Sequence, residues 1–583
     1  MFKKILTNNL FWLITLTTLG YLCRVLSSKA SITYIPDTQI IRQAFDLGQI
    51  IISRRIFDIG LGDTPFKYPL VLPYYLLGIY GMLFGLGYIT RVIPSINTFT
   101  TLLFTQRESI HFVAVLSLGI INALVIPYIY SATRVLNKTH LGWLAASLMA
   151  FDLISVQFGG QARPHAPLAS LSFITVVACV RSLQNDHPWR WTLLSAFLGA
   201  VVFGTLQSGI LIFVPMGLMW AMRLTEAAST RQFKKELLRA AASALLALMV
   251  GIITYPPLLQ EYPQLVVNLL TGQSLRLGGG SHEFSTSMFG LANVPLFLWH
   301  LLGHEPIIAP LSLIAVPYFI WQQRANKKML SVALSFPLLN LIMWGVYADA
   351  QPRYMLVLIP FLILAVAYWL EDICQHFVSP KIYLLIGLIV VAPTILTSLR
   401  FIWVANQTDT RTLASQWIKT AIPTNATLFS NFQMQEITPT KASLQRQQRD
   451  YPQSLGTYQQ WLLQLEEARY TSPAYNVVDY SIYWSKDDRK AQQALFKNQA
   501  VQFVVIASQY ATLQIPVANY AIENGTPLHT ICPGRNIEYA QMPIDLYDGF
   551  AWHEIWQLER PGPIIIVFQL NETGSRITAP ICP

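Results

Sequence analysis

The sequence predicts a polytopic α-helical membrane protein, with about eleven spanning helices in residues 1–400 and a soluble α/β domain in residues 401–583. Three observations predict it. Hydrophobic residues make up 53% of the chain and charged residues only 12%, where a soluble domain carries about 25% charged residues. The apolar residues fall into blocks of roughly 17 to 25 positions, the length of helix that crosses about 30 Å of hydrocarbon, and no such block occurs in the tail. The lysines and arginines gather in alternate gaps between the blocks.

The first block, Ile5 to Leu26, follows Lys3 and Lys4 and lacks a clear small-x-small cleavage site before Ser27. It reads as an uncleaved signal anchor with the N-terminus in the cytoplasm. The segment from Tyr68 to Thr90 is uncharged, yet it holds Pro69, Pro73, Gly78, Gly81, Gly85 and Gly87. It is therefore expected as a broken helix lying along the interface, inside a long first outer loop, residues 27–108.

Charge supports that placement. With residues 68–90 outside, spans run near 109–133, 141–158, 167–184, 191–207, 209–223, 238–256, 306–322, 331–347, 354–370 and 382–400. The cytoplasmic gaps then hold Arg134 and Lys138, Arg190, the run Arg231, Lys234, Lys235 and Arg239, the cluster Arg324, Lys327 and Lys328, and Lys381. That is the bias of Lys and Arg in short loops toward the cytoplasm, and a spanning 68–90 segment would invert all of it. The expectation is a multi-pass plasma-membrane protein whose C-terminal domain is extracytoplasmic.

In the tail, Thr427–Phe429, Asn476–Tyr480, Val501–Ala507 and Pro563–Leu570 read as strands, and Thr410–Thr420 and Asp487–Asn498 as helices. No glycine-rich phosphate loop or nucleophile elbow occurs there, so no chemistry is placed in it. The net charge of +10 sits mostly in the membrane gaps, where topology accounts for it and nucleic-acid binding is not indicated. Five cysteines without a CxxC pair signal neither a zinc site nor a redox motif. Cys532 and Cys582 stand alone in the tail, either as a pair or as two thiols.

The polar residues on the outer side are where chemistry is expected. Asp37, in Tyr34-Ile-Pro-Asp37, is followed by an amphipathic stretch with Arg42 and Asp46; it reads as a helix N-cap or as a working carboxylate. Lys67, before Tyr68-Pro69, is a snorkelling lysine or a ligand for an anionic head group. The second outer loop, Gln161-Ala-Arg163-Pro-His165, is a polar turn or a functional pair. The third carries Glu261, Arg276, His282, Glu283, His300, His304 and Glu305, without an HExxH pattern, and no metal is assigned. Asp349-Ala-Gln-Pro-Arg353-Tyr354 opens the tenth span, where Arg353 is an interfacial anchor or a bidentate phosphate ligand.

Taken in order, Tyr-x-Pro-Asp37, Lys67-Tyr-Pro-Leu, Arg134-Val-Leu-Asn-Lys, Gln-Ala-Arg163-Pro-His165-Ala-Pro-Leu and Gln-Pro-Arg353-Tyr354 resemble the GT-C superfamily of membrane glycosyltransferases. The branch of protein O-mannosyltransferases and lipid A aminoarabinose transferases is nearest, over roughly residues 1–400. Trp417-Ile-Lys-Thr-Ala-Ile-Pro423 resembles the start of the tail in related bacterial enzymes. The resemblance implies two membrane-parallel helices in the first outer loop, a polyprenyl phosphate-linked sugar donor, and a protein, lipid or glycan acceptor entering from outside. It places Asp37 at the position of the catalytic aspartate, Lys67 near the donor phosphate, and Arg353 in the late arginine–tyrosine motif.

Three positions depart from the family pattern. Thr38 and His165 stand where many relatives have acids, which argues against an aspartate-pair metal mechanism, and Thr205-Leu-Gln207-Ser lacks a lysine. The expected chemistry has Asp37 as general base, and Lys67, Arg353, Arg276 and Arg163 around the lipid phosphate. Tyr354, His165 and Arg42 are candidate substrate contacts, and no cofactor is expected. A transporter or flippase of a lipid-linked sugar is the alternative; a membrane-anchored scaffold whose tail does the work is a third reading.

Overall fold

The computed structural model describes residues 9–29, 39–52, 69–136, 141–184, 188–228, 232–256, 294–345, 351–377, 380–431, 436–450, 455, 457–465, 473–479, 500–507, 515–535 and 549–570. The chain divides into two units, the first holding most of the chain up to Ile402 and the second holding Lys29–Tyr34 and the chain from Trp403.

In the first unit the helices are α1 (Asn9–Leu26), α2 (Gln39–Ile52), α3 (Val71–Ile89), α4 (Ile96–Thr105), α5 (Arg107–Ala123), α6 (Val125–Ala132), α7 (Leu141–Phe151), α8 (Leu153–Gly159) and α9 (His165–Gln184). They continue as α10 (Pro188–Phe203), α11 (Phe213–Ala227), α12 (Phe233–Thr254), α13 (Val294–His304), α14 (Ile308–Gln322), α15 (Lys327–Gly345), α16 (Ile359–Phe377) and α17 (Pro380–Ala405). The described residues of the eleven segments expected to span are mostly helical. Among the described residues, eight helices are long and apolar enough to cross a membrane, or up to ten if each bent pair is one span. Helix α9 is buried along most of its length and packs on α5, α10, α11 and α15. Large apolar side chains such as Leu245, Leu248 and Ile253 are exposed on α12, as suits a surface facing hydrocarbon rather than water.

Two expected spans are bent. Helices α7 and α8 meet at 48°, because Asp152 leaves the helical region at ψ 135° and its Oδ1 accepts the Ser155 N–H, capping α8. Helices α13 and α14 meet at 119° across Glu305.

The 68–90 segment also differs from expectation: α3 is one continuous helix of 19 residues, neither broken by its glycines nor by Pro73. Pro73 falls in its first turn, where the missing N–H has no helical acceptor to leave empty. By length and composition α3 is able to cross a membrane, but its contacts place it alongside the N-terminal half of α5. The Tyr75 hydroxyl donates to Ser117 O and the Tyr80 hydroxyl to Ile110 O, so the two helices run in opposite directions. Its start is held where Leu70 N donates to Thr254 O and Val71 N to Gly204 O, the C-terminal ends of α12 and α10.

The second unit contains a six-stranded sheet in the order β2-β3-β1-β4-β6-β5. Strands β1 (Thr427–Ser430), β2 (Thr438–Pro439), β3 (Ala474–Asp479) and β4 (Phe503–Ala507) pair in parallel; β6 (Ile565–Leu570) is antiparallel to β4 and to β5 (Gly525–Ile531). Helix α18 (Thr410–Ala421) packs Ala414 and Ile418 onto Leu428, Val505 and Val567. The expected strands are all present. Strand β5 was not expected, because Pro527 interrupts it; a proline is tolerated on an edge strand, and a bulge between Pro527 and His529 absorbs it. The expected helix Asp487–Asn498 lies outside the described residues.

Candidate functional site

Two turns distant in the chain meet within the first unit. The first joins α8 to α9. Its close approach to the end of α1 requires glycine: a Cβ on Gly160 would lie 2.2 Å from Ser27 Oγ and 2.7 Å from Arg24 O. Ser27 Oγ in turn donates to Val156 O at 2.8 Å. The chain then doubles back through Arg163 N–H to Gln161 O at 2.8 Å, and α9 begins at His165, with Leu168 N–H closing onto Pro164 O. Arg163 is 1% exposed.

The second turn is the 3-10 helix Pro352–Val357, started by a proline and packed against α8, α9 and α13. The Tyr354 ring lies flat on Trp344 at 4.0 Å and stands 5.6 Å from the His165 ring. The Arg353 guanidinium lies over the same tyrosine at 5.2 Å. Arg353 and Tyr354 are both 7% exposed. A guanidinium and an imidazole flanking one aromatic ring, inside an apolar bundle, can orient an anionic group and stack against a sugar or lipid face.

Beneath this lies a buried charge cluster. Arg24, fully buried at the end of α1, donates from Nη1 to Gly20 O (2.8 Å) and Ala150 O (3.1 Å) and from Nη2 to Met149 O (2.8 Å). The Asp152 carboxylate is 3.7 Å from Arg24 Nη2. Glu305, 1% exposed, accepts the Ile154 N–H at 2.8 Å, which fixes the junction of α13 and α14 to the start of α8. A water-sized cavity adjoins, lined by Arg24, Asn122, Ser155 and Ser170. One bend thus holds the end of α1, the second outer turn and the end of the third outer segment together.

Of the residues singled out in the sequence, the structure brings together Arg353, Tyr354 and His165, with Arg163 two residues before His165. Arg42 is not among them: its side chain is 65% exposed and pairs along its own helix with Asp46 at 3.8 Å. Burial pushes the Asp46 carboxyl pKa up, and Arg42 opposes the shift. Asp37, Lys67 and Arg276 lie outside the described residues, as do Glu261, His282 and Glu283. His300 and His304 follow one another on α13, with His304 Nδ1 2.9 Å from His300 O. Among the described residues no three His, Cys, Asp or Glu side chains form a metal-binding group.

Sequence reasoning missed Arg24, Asp152 and His111, the last a buried ring near the start of α5. The signal was available: an ionisable residue inside an apolar block, as Asp152 is, marks a functional or organising position.

No protein-family model matches the chain, and no curated protein matches it in sequence. Solved structures similar in shape include the oligosaccharyltransferase AglB from Archaeoglobus fulgidus, in complex with an inhibitory peptide and a dolichol-phosphate. That match has 11% identity, a TM-score of 0.45, and covers 90% of this chain and 73% of the other. The apo form of the Archaeoglobus oligosaccharyltransferase matches at 11% identity and TM-score 0.49, covering 89% and 73%. ArnT from Cupriavidus metallidurans bound to undecaprenyl phosphate matches at 11% identity and TM-score 0.40, covering 96% and 98%. At this level of likeness, the functional reading has to rest on the chain's own residues.

Proposed function

We propose that the chain is a membrane glycosyltransferase that moves a hexosyl or pentosyl group from a polyprenyl phosphate-linked donor to an acceptor hydroxyl on the extracytoplasmic face. The observation that carries the reading is the meeting of the Arg163–His165 turn with the Arg353–Tyr354 turn. Both turns come from the side of the bundle that the Lys and Arg distribution assigns to the outside. Buried guanidinium groups there favour an anionic phosphate head group delivered by the bilayer.

In the proposed reaction the acceptor oxygen attacks the anomeric carbon while Asp37 takes its proton. The bond from that carbon to the phosphate oxygen breaks, and the polyprenyl monophosphate leaves with the bonding electron pair. Arg353 and Arg163, with Lys67 and Arg276, offset the charge gained by the leaving phosphate. His165 and Tyr354 hold the sugar or head group. The exposed ion pair of Arg42 with Asp46 favours a contact at the rim rather than with the reacting atoms.

The same Lys and Arg distribution favours a cytoplasmic N-terminus and an extracytoplasmic second unit. Cys532 is disulfide-bonded, whereas Cys23, Cys179 and Cys374 are free; a disulfide in the tail favours an oxidising compartment. Cys582 lies outside the described residues.

The test is sugar transfer in membranes by Asp37→Asn at matched protein level. A positioned base contributes roughly 10² to 10⁴ in rate, so activity should fall below about a tenth. Retention of more than that removes Asp37 from the role.

A further inference from the structure

We infer that His111 is a ligand for the phosphate of the lipid carrier, acting with Arg163 as a buried oxyanion-binding pair. The inference rests on the glycosyltransferase reading and extends it to a residue on α5.

His111 is 3% exposed, and among the described residues neither Nδ1 nor Nε2 has a hydrogen-bond partner. About nine in ten buried polar groups in folded proteins are paired, so a ring with both nitrogens unsatisfied needs an explanation. The helix that carries it is well fixed: α5 packs on α1, α8 and α9, and the neighbouring Ile110 carbonyl accepts the Tyr80 hydroxyl at 2.9 Å. A loosely held surface ring is thereby excluded. The Arg163 guanidinium, itself 1% exposed, is carried by the turn between α8 and α9, the two helices on which α5 packs, and acts electrostatically on the imidazole.

The chemistry of the pair selects its ligand. A guanidinium offers donors and positive charge and accepts nothing; a neutral imidazole adds one N–H donor. Two donor groups with one positive charge suit an anionic oxygen. A metal ion would be repelled by the guanidinium. The core that α5 enters beyond His111 is apolar, with Ala114, Val115 and Leu118 buried in one cluster with Leu76 of α3. A phosphate tethered to a hydrocarbon chain suits such a wall better than a freely hydrated anion does, because burying the anion alone is unfavourable.

The experiment measures binding of a polyprenyl monophosphate to the purified full-length protein in detergent micelles, with uncharged polyprenol and inorganic phosphate as parallel probes. A hydrogen bond to a charged group is worth roughly a 10- to 100-fold change in affinity. His111→Leu should therefore weaken polyprenyl monophosphate binding by at least about tenfold while polyprenol binding and thermal stability stay unchanged. His111→Gln, which keeps an N–H donor, should recover part of the loss. Equal affinity of wild type and His111→Leu for the monophosphate overturns the inference. So does a His111-dependent response to inorganic phosphate with none to the lipid. Failure of the wild type itself to bind the monophosphate instead overturns the glycosyltransferase reading.

Discussion

Breaking the Arg24–Asp152 pair tests the architecture beneath the site. Both groups are fully buried, and Arg24 keeps three carbonyl acceptors whatever happens to Asp152. The 3.7 Å contact between them is therefore ionic rather than a hydrogen bond. Removing one member of a buried pair leaves an uncompensated charge and destabilises by about 3–5 kcal/mol. The three carbonyls soften that, so Asp152→Asn, which preserves the cap on Ser155, should lose about 3 kcal/mol. Asp152→Ala also deletes the cap and should lose about 1 kcal/mol more. Arg24→Met leaves Asp152 buried without its cation beside Glu305 and should lose a similar amount to Asp152→Asn. The double variant Arg24→Met with Asp152→Asn removes both charges and should be less damaged than the sum of the singles, by about 2 kcal/mol or more. Denaturant or thermal unfolding of the detergent-solubilised protein measures all four states. Single effects that add to within about 0.5 kcal/mol would refute the pairing, since that is the behaviour of independent sites.

Three further outcomes follow from the geometry. Gly160→Ala drives a Cβ to 2.2 Å from Ser27 Oγ and 2.7 Å from the Arg24 carbonyl; because one neighbour is backbone, the end of α1 has to shift, with a loss of about 1–3 kcal/mol read as a lower unfolding midpoint. Arg353→Glu should weaken donor binding more than it alters the turnover of bound donor, and unchanged donor affinity would remove Arg353 from the phosphate site. Glu554, whose Oε2 accepts the Ala551 N–H, has its pKa pushed by burial from 4.5 to about 7. Between those values the folded tail binds more protons than the unfolded one, so its stability should fall as pH rises from about 4.5 to about 7. Glu554→Gln should flatten that slope in hydrogen exchange of the segment 551–558; an unchanged slope would assign it to another group.

Much of the helical unit was legible because blocks of Leu, Ile, Val and Phe declare their length to a bilayer. The bends were not, since each depends on one residue whose role is tertiary. Asp152 reads in sequence as a lone polar residue in an apolar run, and becomes a helix break once Ser155 and Arg24 fold around it. Helix α3 shows the converse: its glycines suggested a break, yet Gly78, Gly81 and Gly85 have no described neighbour within 4 Å of where a Cβ would stand, and the helix runs through them. Pro527 hid β5 because a proline argues against a strand unless the strand is known to be an edge. In the site, Arg163, His165, Arg353 and Tyr354 were individually visible as polar residues in gaps that the Lys and Arg distribution assigns to one side of the membrane. That the His165 and Tyr354 rings meet was not, because no local pattern records a contact between distant turns. His111 was invisible for a related reason: one histidine near a helix start is commonplace until its burial and missing partners are seen.

The central claim is covalent transfer, not transport. Purified protein in vesicles containing a polyprenyl phosphate-linked sugar, labelled in both the sugar and the phosphate, tests it most directly when supplied with an acceptor extract. The account predicts that sugar label appears in a new covalent product in step with labelled polyprenyl monophosphate, and that Asp37→Asn abolishes both. Movement of intact doubly labelled donor between leaflets, without separation of the two labels, would contradict it.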